Sequence, residues 1–332
     1  MSSTMERIRR IAGTRRQRLL FAEAGDERIV AAAARMARDR LADVALVGPP
    51  DEARATARKA DVNLNGVELI DSGAAENVER ARGAILAARG SRITPPEADK
   101  YARDPVFQAA ARVREGLADC YVAGATRPTA DVLRAALWLI GMRPDTKSVS
   151  SFFLMVLPGE AGKERVLTFA DCAVLPDPSP EQLAEIAILS ADNHHRLVQE
   201  VPHVAFLSFS TRGSAEHPHV EKVRVALKIA RERRPDLHLD GELQLDAAIV
   251  PAVGKRKAPD SVVAGHANVL VFPDLDAGNN GYKLVQRLGD AAAIGPMLQG
   301  LAKQANDLSR GCSIEEVVDT ATVACAMSAG VD

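Results

Sequence analysis

Short apolar runs alternate with helix-period segments along this chain, and that alternation restricts the fold more than any other feature. Residues 19–22, 43–47, 67–70 and 120–122 are runs of strand length, while 29–36, 51–59, 76–88, 97–117 and 130–140 carry helical spacing. Gly48-Pro49-Pro50 and Gly124-Ala125-Thr126-Arg127-Pro128-Thr129 supply turns, with Thr129 placed to cap the helix that follows. Parallel neighbours need a crossover between them, so repeated strand–helix units predict an α/β fold with mainly parallel sheets flanked by helices. The pattern breaks at Gly141-Met142-Arg143-Pro144-Asp145, and strand character then rises over 149–157, 166–169 and 204–209. Residues 237–245 read as extended and 268–272 as the final clear strand. Helices are expected over 180–200 and 220–231, with a last one before the C-terminal region ending at 288. At 332 residues the chain has room for two domains.

Chemistry concentrates in Asn306-Asp307-Leu308-Ser309-Arg310-Gly311-Cys312-Ser313-Ile314-Glu315-Glu316. From Ile314 the sequence is helical, with Val317, Val318, Ala321 and Ala324 forming its apolar stripe and Ser313 at the N-cap. A helix start gathers unpaired N–H groups and the positive end of a dipole, which suits an anion. Arg310 adds a planar, two-pronged donor matched to phosphate. Two readings of Glu316 stand side by side. It is a carboxylate one turn inside an anion seat, and it also completes a Ser-x-x-Glu capping box with Ser313.

Other stretches carry weaker signals. The loop 89–96 holds Arg89 and Arg92, the helix after Thr129 carries Arg134, and Ser210-Thr211-Arg212-Gly213-Ser214 is a hydroxyl-rich loop suited to phosphate. No GxGxxG, GxxxxGK[ST] or HExxH pattern occurs, and the four cysteines lack CxxC spacing, so dinucleotide, P-loop and zinc readings lose their usual support. A net charge of −2 and 4% aromatic residues give no reason to expect nucleic acid. No apolar run has membrane-spanning length, and the arginine-rich start lacks the apolar core of a secretory signal, so a cytoplasmic location is expected.

Taken together, Phe169-Ala170-Asp171-Cys172-Ala173-Val174, Asp240-Gly241-Glu242-Leu243-Gln244, Phe272-Pro273-Asp274-Leu275, Gly278-Asn279 with Gly281-Tyr282-Lys283, and 306–313 resemble the phosphate acetyltransferase (phosphotransacetylase) family. The resemblance runs from about Arg18 to Ala329 and is to the short form, without an N-terminal regulatory domain. It implies a fold similar to that of the isocitrate/isopropylmalate dehydrogenases. Two domains are expected, 1–145 plus 297–332 and 146–296, with the active site in the cleft between them, in a homodimer. The implied reaction interconverts acetyl-CoA plus phosphate with acetyl phosphate plus CoA, by direct thiolate attack in a ternary complex. Coenzyme A is a substrate, and neither metal nor cofactor is expected.

Carried over by position, the resemblance makes Arg310 the phosphate ligand, Ser309 the stabiliser of the tetrahedral transition state and Glu316 the base for the thiol. Arg134 matches a CoA-binding arginine, and Arg89 is the better match for a second, with Arg92 as the alternative. Ser210, Thr211, Asn279, Tyr282 and Lys283 are expected at the substrate. The chain departs from the family pattern at Glu316, where aspartate is usual, at Asn280, at Gln304-Ala305, and in a loop near Arg89 that is one residue shorter. Alternative readings are a phosphate acyltransferase for a longer chain such as butyryl, a non-catalytic sensor of acetyl-CoA or acetyl phosphate, and, more remotely, a dehydrogenase.

Overall fold

The computed structural model describes residues 2–159 and 163–330. Among the described residues eleven strands are formed: β1 Arg18–Phe21, β2 Asp43–Gly48, β3 Val67–Asp71, β4 Cys120–Ala123, β5 Ser150–Leu157, β6 Arg165–Ala170, β7 His203–Leu207, β8 His238–Leu243, β9 Val269–Val271, β10 Ala292–Gln299 and β11 Gln304–Asp307. Thirteen α-helices accompany them among the same residues: α1 Ser3–Gly13, α2 Glu27–Arg38, α3 Pro50–Lys59, α4 Ala75–Arg89, α5 Pro95–Ala102, α6 Pro105–Arg114, α7 Thr129–Ala135, α8 Pro180–Val198, α9 Pro218–Arg233, α10 Leu245–Ile249, α11 Pro251–Lys257, α12 Leu275–Leu288 and α13 Ile314–Ser328. The chain divides into two compact units: a terminal unit of Met5–Pro144 with Leu301–Asp332, and a central unit of Asp145–Gly300 with Met1–Thr4.

In the terminal unit the strand order is β11-β4-β1-β2-β3 and every pairing is parallel. β2 and β3 extend from one side of β1, whereas β4 joins its other side. The order therefore reverses between β1 and β4, the place where open parallel sheets leave a crevice at their carboxyl ends. Leu19, Leu20, Phe21, Tyr121 and Val122 are fully buried. α2 packs close because its inner face is built from Ile29, Val30, Ala32 and Ala33, none of which is exposed. α13 buries Val317, Val318, Ala321 and Ala324, the stripe read from the sequence.

The central unit has strand order β10-β5-β6-β9-β7-β8. β6, β9, β7 and β8 pair in parallel, and β5 pairs antiparallel with both β6 and β10. Its core includes Phe153, Met155, Leu167, Phe169, Leu207, Leu270 and Phe272.

Four local expectations change. The segment 97–117 is two helices, because Asp104 caps a new start at Pro105. The helix from Thr129 ends at Ala135 and continues as a π-helical turn, Ala136–Ile140. Pro128 holds the cap position there, and Thr129 turns its hydroxyl to Asp307 instead. Finally, two strands follow 268–272: β10 contains Gly295-Pro296, and β11 is largely polar and becomes a strand by pairing with β4.

Candidate functional site

The loops after β1, β4 and β11 meet at the carboxyl edge of the terminal sheet, on either side of the crevice. Glu23, directly after β1, fills that crevice with its own carboxylate. It accepts the N–H groups of Gly124 (2.8 Å), Ala125 (2.9 Å) and Thr126 (2.8 Å) and the Thr126 hydroxyl (2.6 Å). Gly124 must be glycine, because with φ +108° a Cβ there would lie 2.2 Å from Asp307 Oδ1 and 2.7 Å from the Leu308 nitrogen.

After β11 the Leu308 N–H still pairs with the Ala123 carbonyl at 2.8 Å, and the chain then turns. The Cys312 N–H closes the turn on the Ser309 carbonyl at 3.0 Å, and the Gly311 N–H donates to Ser309 Oγ at 3.3 Å. Arg28, at the start of α2, clamps this turn by donating to the carbonyls of Arg310 (2.7 Å) and Cys312 (3.0 Å). Its remaining N–H groups reach Ala125 O (2.9 Å) and Asp26 (2.8 Å), so one guanidinium ties all three loops together. Burial would push the Asp26 carboxyl up, but Arg28 and two backbone N–H groups outweigh it and hold it below its usual range.

With its carbonyl fixed, Arg310 carries an exposed guanidinium that has no hydrogen bond or ion pair among the described residues. Ser309 is exposed beside it. Both bonds of the capping box are present at the start of α13, Glu316 N–H to Ser313 Oγ (3.2 Å) and Ser313 N–H to Glu316 Oε2 (2.7 Å). Glu316 is thus held one turn inside the helix start. Its neighbour Glu315 is committed to an ion pair with Arg35 of α2.

Beneath the turn lies Asp307, only 2% exposed. Its Oδ2 meets the Thr129 hydroxyl at 2.5 Å, while Oδ1 is buried without a hydrogen-bond partner. Burial pushes this carboxyl up to about 7, and the charge of Glu23 adds to the push against the Thr129 hydrogen bond.

The other expected residues of this unit lie apart from the turn in sequence but on the same framework of helices. Arg134, in the last turn of α7, pairs with Asp131 at 2.6 Å. Arg89 ends α4 and lies over the ring of Trp138, its guanidinium carbon 4.5 Å from the centroid. Arg92 is exposed and turns its Nε back to the Arg89 carbonyl at 3.3 Å.

The remaining expected residues, Ser210, Thr211, Asn279, Tyr282 and Lys283, belong to the central unit. The motif Asp240-Gly241-Glu242-Leu243-Gln244 anchors the hydroxyl-rich loop from below. Ser210 is fully buried and gives its hydroxyl to Glu242 at 2.8 Å, Gly213 N–H reaches the same oxygen at 2.8 Å, and Arg212 pairs with Asp240 at 2.5 Å. Thr211 Oγ1 accepts the Gln244 N–H at 2.9 Å. Burial would push Glu242 up, but Arg224, the Gly213 N–H and Ser210 hold it at about 2. The loop is therefore braced by its own hydroxyls, which face inward. On α12, Asn279 donates to the Cys172 carbonyl at 3.0 Å and accepts from Lys283 at 2.7 Å, and Tyr282 stacks on Phe153 with centroids 4.1 Å apart. Lys283 is exposed.

Glu23 and Arg28 at this edge were passed over by the sequence reading, which took Thr129 for a helix cap and gave Asp307 no role of its own. Asp26, two residues ahead of Arg28, carried the visible sign of a helix cap. The partners of Arg28 lie 97 and 282 residues away, beyond any local pattern. Among the described residues no group of three or more His, Cys, Asp and Glu side chains is arranged to hold a metal ion, and no helix is long and apolar enough to cross a membrane.

The family profile described as "Phosphate acetyl/butaryl transferase" matches residues 3–325. A phosphate acetyltransferase of Clostridium acetobutylicum is 43% identical over 321 residues, covering 96% of each chain. A solved phosphotransacetylase of Streptococcus pyogenes superposes with a TM-score of 0.91 at 41% identity, covering 99% of both chains. A 4-hydroxythreonine-4-phosphate dehydrogenase of Klebsiella pneumoniae, at 14% identity and a TM-score of 0.53 over 95% of this chain and 100% of its own, shares the fold alone.

Proposed function

The chain belongs to the phosphate acetyl/butaryl transferase family, and from that premise we propose that it interconverts acetyl-CoA plus phosphate with acetyl phosphate plus CoA. The observation that carries the proposal is the clamped turn Ser309–Cys312 at the start of α13, which presents a hydroxyl and an unpaired guanidinium beside a carboxylate.

In the direction of acetyl-CoA formation, Arg310 receives the phosphoryl group through two parallel N–H donors, assisted by the positive end of α13. The CoA thiol, with an ordinary pKa near 8.5, gives its proton to Glu316 as the sulfur attacks the acetyl carbon. The carbonyl oxygen takes up the charge and is stabilised by the Ser309 hydroxyl. The C–O bond then breaks, and inorganic phosphate leaves with the electron pair. Both substrates are bound throughout, so no acyl-enzyme forms. Arg89 and Arg134 take phosphates of CoA, with Arg134 using N–H groups other than the one given to Asp131. The resemblance also assigns Ser210, Thr211, Asn279, Tyr282 and Lys283 of the central unit to substrate binding. Coenzyme A is a substrate in this scheme, no metal or cofactor has a role, the resemblance supports a homodimer, and the cysteine usage supports a cytoplasmic location.

The deciding experiment measures thioester formation from CoA and acetyl phosphate, repeated with butyryl phosphate. A preference for acetyl is expected. One or two methylenes change binding by only about 1–3 kcal/mol, so a reversed preference would assign the chain to longer acyl groups. Absence of turnover with either would overturn the catalytic reading and favour a sensing role.

A further inference from the structure

Arg89 differs from most arginines that the fold uses structurally. Arg28, Arg35, Arg127, Arg134 and Arg224 all rest against carboxylates. Arg89 rests on an aromatic ring, with its guanidinium carbon 4.5 Å from the Trp138 centroid, and has no ion pair among the described residues. Its Nε is buried and lacks a hydrogen-bond partner.

Trp138 is the single tryptophan of the chain. It sits on the π-helical turn Ala136–Ile140, which packs against α4 and α6. Tyr101 and Phe107 meet it edge-on, at 4.9 Å and 74° and at 5.6 Å and 69°, and pack the ring in place beside Arg89. Arg134 precedes Trp138 by four residues on the same continuous helical segment. A carboxylate partner would neutralise Arg89 and occupy its fork. A ring face attracts the cation through its quadrupole and leaves both the charge and the N–H fork unspent. It also fixes a long side chain before a ligand arrives, which lowers the ordering cost of binding. Arg92, exposed and turned back to a backbone carbonyl, has no such support.

We infer that Trp138 is a positioning residue for coenzyme A: it holds Arg89, rather than Arg92, ready for a phosphate of the CoA nucleotide. This rests on the acetyl-transfer reading, and the tests separate the two. Trp138→Leu should raise KM for CoA on the order of tenfold, the scale of a partly buried cation–π contact, while kcat and KM for acetyl phosphate stay near the parent. Trp138→Phe, which preserves packing and a ring face, should recover most of the loss. With pantetheine, an acceptor thiol without the nucleotide phosphates, parent and Trp138→Leu should behave alike. In an Arg89→Ala background the Trp138→Leu effect on CoA should vanish. The tryptophan emission of the parent should change on titration with CoA, and this change should be absent in Arg89→Ala.

An unchanged CoA KM in Trp138→Leu would overturn the inference. So would equal loss with pantetheine, or a CoA defect that follows Arg92→Ala rather than Arg89→Ala. A chain that transfers no acetyl group but whose emission still responds to CoA through Arg89 would refute the activity and keep the anion site.

Discussion

Replacing Asp307 by asparagine should stabilise the terminal unit increasingly as pH rises. Asp307 is 2% exposed, with one carboxyl oxygen against the Thr129 hydroxyl and the other buried without a partner. Desolvation, joined by the nearby charge of Glu23, raises the carboxyl from 3.8 to about 7. In free energy that places about 4 kcal/mol against the ionised form in the folded chain. Below about pH 4 both folded and unfolded chains hold the proton and nothing is lost. Between about 4 and 7 the unfolded chain releases it and the folded chain does not, so stability falls as pH rises, reaching its full loss above 7. Asparagine has the same shape and can still accept from Thr129, yet it never ionises. The stability of Asp307→Asn relative to the parent should therefore rise by about 4 kcal/mol between pH 4 and pH 8. Urea unfolding followed through Trp138, which lies in the same unit, reads that difference directly. A difference that is constant across this range would refute the reasoning, since it would mean that Asp307 ionises at its ordinary pKa in the folded chain.

Three further predictions concern the turn above it. Arg310→Lys should keep the fold, because the clamp from Arg28 uses only the backbone of residue 310, but should lose about tenfold or more in phosphate-dependent activity for want of a two-pronged donor; wild-type kinetics would remove Arg310 from the site. Ser309→Ala should lower kcat by an amount on the order of 2–4 kcal/mol; a raised KM at constant kcat would make Ser309 a binding residue instead. Glu316→Gln should melt within a few degrees of the parent, because an amide oxygen can still accept from Ser313, yet slow the reaction roughly tenfold or more. The deficit should shrink as pH approaches the thiol pKa, and full activity in this variant would reduce Glu316 to a helix cap.

What could be read from the sequence was whatever depends on near neighbours. The strand–helix alternation, the Ser313 cap, the buried stripe of α13 and the turn at 309–312 are all set by residues within a few positions of one another. β11 was not legible, because Gln304, Asn306 and Asp307 have no strand propensity and adopt one only by pairing with β4. Thr129 was misplaced as a cap because its hydroxyl prefers Asp307, 178 residues away. The hydroxyls of the 210–214 loop suggested an anion seat, but Glu242 and Gln244 of the following strand region take them up. Glu23 and Arg28 escaped notice for the same reason: their value lies in which distant carbonyls and amides they collect.

The returning strand has a further consequence, in the order of synthesis. During translation the outer edge of β4 waits for about 180 residues until β11 emerges, which at roughly 5–20 residues per second is on the order of 10–40 s. Through that interval Glu23 can already satisfy the N–H groups after β4, but the ladder N–H and C=O groups on the free edge have no strand to pair with. In the central unit β5 likewise waits for β10, and β6 for β9, but over shorter stretches of chain than separate β4 from β11. A nascent chain of this kind therefore carries an adhesive edge for longer than its parallel sheet alone would require, and the interval in which a chaperone is useful opens at β4 and closes at β11.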